Sequence, residues 1–228
     1  MKKFCLRIFV VLSHSIPIFA TSLLIISAIS APSRSADSAQ PLLDTEGTPV
    51  SDEPDEVFGN PNAANTITVY LSPTCPHCAE ILGEIESMEK NKELGAVKIC
   101  IILLPTNLQD IYVMKYLSKA NISYSKFTKQ SKTVKLEPAS PQKDKEEQSK
   151  TVAETQAWLL SIGCPVTLVE ESIPDMTQPF EISQIAKYKK NVGTITETSE
   201  RKEINLPFIV RLNKIYKSLT DAINANDS

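Results

Sequence analysis

Asn65-Thr66-Ile67-Thr68-Val69-Tyr70-Leu71-Ser72-Pro73-Thr74-Cys75-Pro76-His77-Cys78 is the stretch on which the reading of this 228-residue chain turns. Ile67, Val69 and Leu71 alternate with Thr66, Thr68 and Tyr70, the period-two pattern of a β-strand over 65–72. Pro73 and Pro76 break that pattern. Ile81, Leu82, Ile85 and Met88 then recur at helical spacing. Ala96 to Leu104 is a nearly continuous apolar run of strand length, closed by Pro105, as expected for the centre of a covered sheet. Residues 65–105 therefore read as one β-α-β unit, with two cysteines at the junction of its first strand and its helix.

That placement carries chemistry. A cysteine at a helix N-terminus meets unsatisfied backbone N–H groups and the positive end of the helix dipole, and both favour a thiolate. The dipole alone is worth at most about 2 kcal/mol, so direct N–H contacts and His77 are expected to supply the rest. Cys78, one turn further in, could attack a mixed disulfide formed at Cys75 and close an exchange cycle. Two other readings of the Cys-x-x-Cys spacing stand beside this one. A zinc site needs two more ligands, His77 is badly placed between the cysteines, and the only other histidine is His14 near the N-terminus. A structural disulfide over so short a loop would add little stability. The exchange reading needs neither a metal nor a cofactor.

Downstream, 107–135 has helical spacing through Val113, Tyr116, Leu117 and Ala120, whereas 137–150 is charged and proline-containing and reads as a loop. Ala153 to Ile162 resumes a helix that Gly163 and Pro165 would end, and Glu181 to Lys190 has the spacing of another short one. Pro207 to Leu212 reads as a strand, Asn213-Lys214 as its turn and Ile215 to Lys217 as a partner strand. Ser218 is spaced as the N-cap of a terminal helix. The expected order is β-α-β, helical insert, β-β-α.

The first 30 residues are expected to be a secretory signal. Lys2, Lys3 and Arg7 form a basic head, Ile8 to Ser30 is mostly apolar, and Ala28-Ile29-Ser30 offers a cleavage point before Ala31. The apolar run is also nearly long enough for an uncleaved membrane anchor. Cys5 lies in this head and is given no role. Residues 31–54, rich in Ser, Asp, Glu and Pro, read as a flexible tether. Removing the leader takes three of the 24 basic residues and none of the 27 acidic ones, an acidic balance that argues against nucleic-acid binding. Cys100 in a strand reads as a small buried hydrophobe, and Cys164 beside a helix end is less settled. A disulfide between these two would staple the insert to the sheet only with suitable geometry.

Gly59-Asn60-Pro61-Asn62, followed by Thr68 through Cys78 with its Cys-Pro-His-Cys, resembles the DsbA-type branch of the thioredoxin superfamily. The match is specific over 59–82, persuasive in order across 95–105 and 205–217, and weak in the insert. The resemblance implies an α/β thioredoxin-like fold, with the domain in 55–106 and 193–228 and a helical subdomain inserted at 107–192. It implies protein thiol–disulfide exchange through Cys75, Pro76, His77 and Cys78 in the bacterial periplasm. Exported cysteine-containing proteins would be the substrates, and a quinone-linked membrane partner would reoxidise the dithiol. Leu206 and Pro207 match the family's pre-proline residue and cis-proline, which would lie beside the cysteines and pair with bound peptide. On residues alone, Pro207 reads as an ordinary trans proline opening a strand. Within this framework the chain could be an oxidase, an isomerase or a reductase. Residues 31–54 are short for the dimerisation domain of the related DsbC-type isomerases. A metal-holding chaperone using the same cysteines is the alternative from another class. One departure stands out: the family's buried acidic residue, six positions before the first cysteine, is replaced here by Val69.

Overall fold

The computed structural model describes residues 53–131, 136, 144–199 and 206–225. The expected leader, with Cys5, most of the tether and 137–143 of the charged segment lie outside the described residues. Strands β1 (Glu56–Gly59), β2 (Asn65–Leu71) and β3 (Val97–Leu103) are followed by helices, and β4 (Phe208–Arg211) and β5 (Lys214–Tyr216) come near the end. Helix α1 (Pro76–Lys90) joins β2 to β3. Helices α2 (Leu108–Ala120), α3 (Tyr124–Ser131), α4 (Lys145–Ser161), α5 (Val166–Glu171) and α6 (Pro179–Ser199) come between β3 and β4, and α7 (Leu219–Asn224) follows β5.

The five strands form one sheet in the order β1-β3-β2-β4-β5. β2 and β3 are parallel, with Val69 opposite Ile101, and the other pairings are antiparallel. Side-chain alternation divides the strands between two faces. Ile67, Val69, Leu71, Ile99, Ile101 and Ile209 pack with Leu82 and Ile85 of α1 and with Leu219 and Ala222 of α7. Tyr70 and Phe208 point the other way and meet Tyr188 and Ile195 of α6. The sheet is thus covered on both sides, as the apolar run in β3 requires. This is the thioredoxin-like fold expected from the sequence, with a helical insertion after β3.

Several details differ from expectation. β1 is an added edge strand, antiparallel to β3, that buries only Phe58 and so leaves almost no periodic signal. The helical spacing of 107–135 resolves into two helices separated at Asn121, whose φ of 50° ends α2 in a left-handed turn. The charged segment read as a loop through Lys150 becomes helical at Lys145. The Asp144 side chain caps α4 by accepting from the Glu147 N–H, and 144–150 is wholly exposed, so capping rather than burial starts this helix. α6 is far longer than the Glu181–Lys190 segment. The hairpin turn is at Leu212-Asn213, one residue earlier than expected, with φ of 47° and 59° as a tight β-turn of this hand requires. Ser218 does cap α7, accepting from the Asp221 N–H.

Ion pairs tie α6 to the rest of the domain. Lys115 of α2 is 2.6 Å from fully buried Glu181, and Lys187 is 2.7 Å from Asp55, just before β1. Asp55 also accepts from the Leu103 N–H at 2.7 Å, linking α6 to the end of β3.

Candidate functional site: the Cys75–Cys78 dithiol

The chain leaves β2 through Ser72-Pro73-Thr74 and turns at once into α1. Cys75 is the N-cap, with extended φ and ψ of −80° and 121°, and Pro76 occupies the first turn, where a missing N–H costs nothing. No side chain caps the helix, so the free N–H groups of its first turn face the Cys75 sulfur rather than a capping oxygen. Cys75 is partly exposed and Cys78 fully buried; both are free thiols.

The two sulfurs act on each other. Cys75 is pulled down from 9.0 to about 6, first by a hydrogen bond from the Cys78 thiol. Burial opposes this, and the N–H groups of Cys78 and His77 and the charge of His77 assist. The same bond pushes the Cys78 thiol well up, because it must keep its proton to donate; burial and Asp110 add to the rise, against the Ser72 N–H. That N–H donates to Cys78 Sγ at 3.3 Å.

Of the direct N–H contacts and the His77 imidazole, both expected to add to the acidity of Cys75, the imidazole has the smaller part. Its ring is exposed, with Nδ1 3.1 Å from Glu80 Oε2, and its charge is the last of the named influences on Cys75. Solvent screens an exposed charge, whereas the buried Cys78 thiol hydrogen-bonds directly to the Cys75 sulfur.

The Leu206–Pro207 peptide bond is cis, and the Leu206 carbonyl oxygen is 3.9 Å from Cys75 Sγ. A segment 131 residues along the chain is thus brought back to the dithiol. Cys100 and Cys164 are elsewhere, each a separate buried free thiol; burial pushes both up. Among the described residues, no group of three or more His, Cys, Asp or Glu side chains is placed to hold a metal ion. Also among these residues, no helix is long and apolar enough to cross a membrane.

Val69 is wholly buried in β2, with no polar group to offer. A buried carboxylate is nevertheless present near the dithiol: Asp110, in the first turn of α2 and fully enclosed. Sequence reading passed over it. Its signal was the Asn107-x-x-Asp110 spacing directly after β3, in which the Asn107 side chain accepts from the Asp110 N–H at 3.0 Å.

Together, the fold and the site define a thioredoxin-like domain bearing the Cys75–Cys78 pair at a helix N-terminus. The chain belongs to the thioredoxin family, whose family model matches residues 51–205. No curated protein matches it. Among solved structures, it resembles a protein-disulfide isomerase from Novosphingobium aromaticivorans at 13% identity and a TM-score of 0.50, over 74% of this chain and 94% of that one. The thiol-disulfide exchange protein α-DsbA2 from Wolbachia pipientis is 16% identical, over 73% of this chain and 80% of that one, with a TM-score of 0.45. DsbA from Chlamydia trachomatis is 14% identical, over 77% and 90%, also with a TM-score of 0.45.

Proposed function

We propose that this protein is a DsbA-like thiol–disulfide oxidoreductase that donates the Cys75–Cys78 disulfide to cysteines of exported proteins in the bacterial periplasm. The observation that carries this reading is the asymmetry of the dithiol: a partly exposed Cys75 pulled down to about 6, backed by a buried Cys78 that keeps its proton. Stabilising the thiolate of the reduced pair, without equal stabilisation of the disulfide, makes the disulfide oxidising.

In the oxidised protein, a substrate thiolate attacks Cys75 Sγ. The Cys75–Cys78 bond breaks, a mixed disulfide forms, and Cys78 leaves as a thiolate that takes up a proton. A second substrate thiolate then attacks the substrate sulfur of that mixed disulfide. The substrate gains its disulfide, Cys75 leaves as a stable thiolate, and two electrons have passed to the protein. Leu206, before the cis-proline, would hold the substrate backbone beside Cys75. A quinone-linked membrane partner would remove the two electrons, and the chain would work either free after leader cleavage or anchored by its N-terminus.

Substitution Cys78→Ser tests this reading. Cys75 can still attack a substrate disulfide, but no second thiol releases the product, so mixed disulfides with exported proteins should accumulate through Cys75. Capture through Cys100 or Cys164 would remove the basis of the assignment.

A further inference from the structure

The mechanism above leaves Asp110 without a task, although few side chains in the domain are so fully engaged. Its Oδ1 accepts from the Thr74 N–H at 3.0 Å and the Thr74 hydroxyl at 2.7 Å. Its Oδ2 accepts from the N–H and hydroxyl of Thr106, both at 2.7 Å. The Ser72 hydroxyl reaches both oxygens at 2.9 Å. Five donors thus converge on one enclosed carboxylate and fix its place. Ser72 and Thr74 belong to the turn that delivers Cys75 to the helix, and the Ser72 N–H is the one that donates to Cys78 Sγ.

We propose that Asp110 is a positioning residue that keeps the proton on Cys78, and thereby prolongs the mixed disulfide formed at Cys75. This inference rests on the exchange reading of the dithiol. A fixed negative charge behind the pair disfavours a second negative charge on the inner sulfur, and burial leaves that repulsion unscreened. In the reduced pair, this adds to the hydrogen bond between the two sulfurs and to burial, the larger influences that keep the proton on Cys78. In the mixed disulfide, Cys78 is kept as a thiol, which attacks Cys75 poorly and gives a second substrate thiol time to act. Charged and titratable groups around Cys78 are few. Cys75 faces it from the start of α1, Asp110 from α2 and Tyr124 from α3, with Glu56 of β1 near Tyr124 and the exposed His77 acting on Cys75 instead. Tyr124 is buried and pushed up, so it remains neutral while donating to the Ser72 and Pro73 carbonyls. Asp110 is therefore the one carboxylate among these neighbours that acts directly on Cys78.

The test uses the reduced protein with glutathione disulfide as oxidant. Cys75 first attacks one glutathione sulfur, releasing a glutathione thiolate. Cys78 then loses its proton to solvent and attacks Cys75 Sγ, releasing the second glutathione as a thiolate that takes up a proton. At saturating oxidant the second step is limiting and first order. Asp110→Asn should raise the Cys78 thiolate fraction about tenfold at neutral pH. Lower nucleophilicity of the more acidic thiolate trims this to resolution about three- to fourfold faster. The rate profile should move to lower pH with unchanged slope. Thr106→Val, which removes one hydroxyl from the carboxylate but keeps its charge, should resolve at the original rate. If Asp110→Asn does not fold, Asp110→Ser is read in the same way. A neutral variant that resolves no faster, or an equal acceleration by Thr106→Val, would overturn the proposal. Failure of the unaltered protein to form a mixed disulfide at Cys75 at all would instead overturn the exchange reading.

Discussion

Removing the Cys78 sulfur should raise the Cys75 thiol more than removing the His77 imidazole. The largest influence holding Cys75 near 6 is the hydrogen bond from Cys78, and the His77 charge is the smallest of those named. A hydrogen bond to a charged group contributes about 1.5–3 kcal/mol. At about 1.4 kcal/mol per pKa unit, its loss corresponds to roughly one to two units. Cys75 is partly exposed, so water takes over part of the bond, and the lower end applies: Cys78→Ala should move Cys75 up by about one unit. Cys78→Ser keeps a donor in nearly the same place and should move it less. His77→Ala removes a screened charge and should shift it by about half a unit or less. The assay is the pH dependence of iodoacetamide alkylation at Cys75, read by mass spectrometry. Cys100 and Cys164 do not interfere in the neutral range, because burial pushes both up. A larger rise in His77→Ala than in Cys78→Ala would refute this ordering and return the acidity to the imidazole.

The same ionisation makes the stability of the reduced form depend on pH. Cys75 is depressed in the folded protein, so its contribution is fully present above 9.0 and lost as pH falls through about 6. Denaturant melts should show the reduced form gaining on the oxidised form across that window, by about 1–2 kcal/mol after allowance for solvent screening. A flat difference would contradict it. Gly59 has φ of +74°, and a Cβ there would be 2.4 Å from the Val97 oxygen. Gly59→Ala should therefore cost more than about 1 kcal/mol in a denaturant melt, and an unchanged midpoint would count against the register of β1. Lys115→Met leaves Glu181 enclosed without its cation, which should cost about 3–5 kcal/mol. Adding Glu181→Gln should restore much of the loss, and no recovery would show that the pair is not coupled.

Legibility in the sequence followed the physical origin of each element. β2 and β3 are built on burial, and the alternation of Ile67, Val69 and Leu71 and the apolar run of β3 report burial directly. The dithiol and the Leu206–Pro207 segment were legible by different routes. Cys75 and Cys78 are local, whereas the return of Leu206 to Cys75 across 131 residues came only through resemblance. What escaped was held by polar groups. The first turns of α4 depend on the Asp144 cap and bury nothing, so apolar periodicity could not register them. Asp110 escaped because burial of a carboxylate depends on donors from Ser72 and Thr74, more than 30 residues upstream. The leading cause of Cys75 acidity escaped for a related reason: the N–H contacts and His77 are local in sequence, while the hydrogen bond between the two sulfurs and the exposure of His77 appear only in three dimensions.

Equilibration of the protein with glutathione buffers of stepped ratio, with the Cys75–Cys78 disulfide quantified by mass spectrometry, bears most directly on the proposed oxidase activity. A single disulfide between these two cysteines should form, half-populated at a potential above about −200 mV and so well to the oxidising side of thioredoxin near about −270 mV. A pair as reducing as thioredoxin, or a disulfide that forms through Cys100 or Cys164 instead, would contradict a protein that donates disulfides from Cys75.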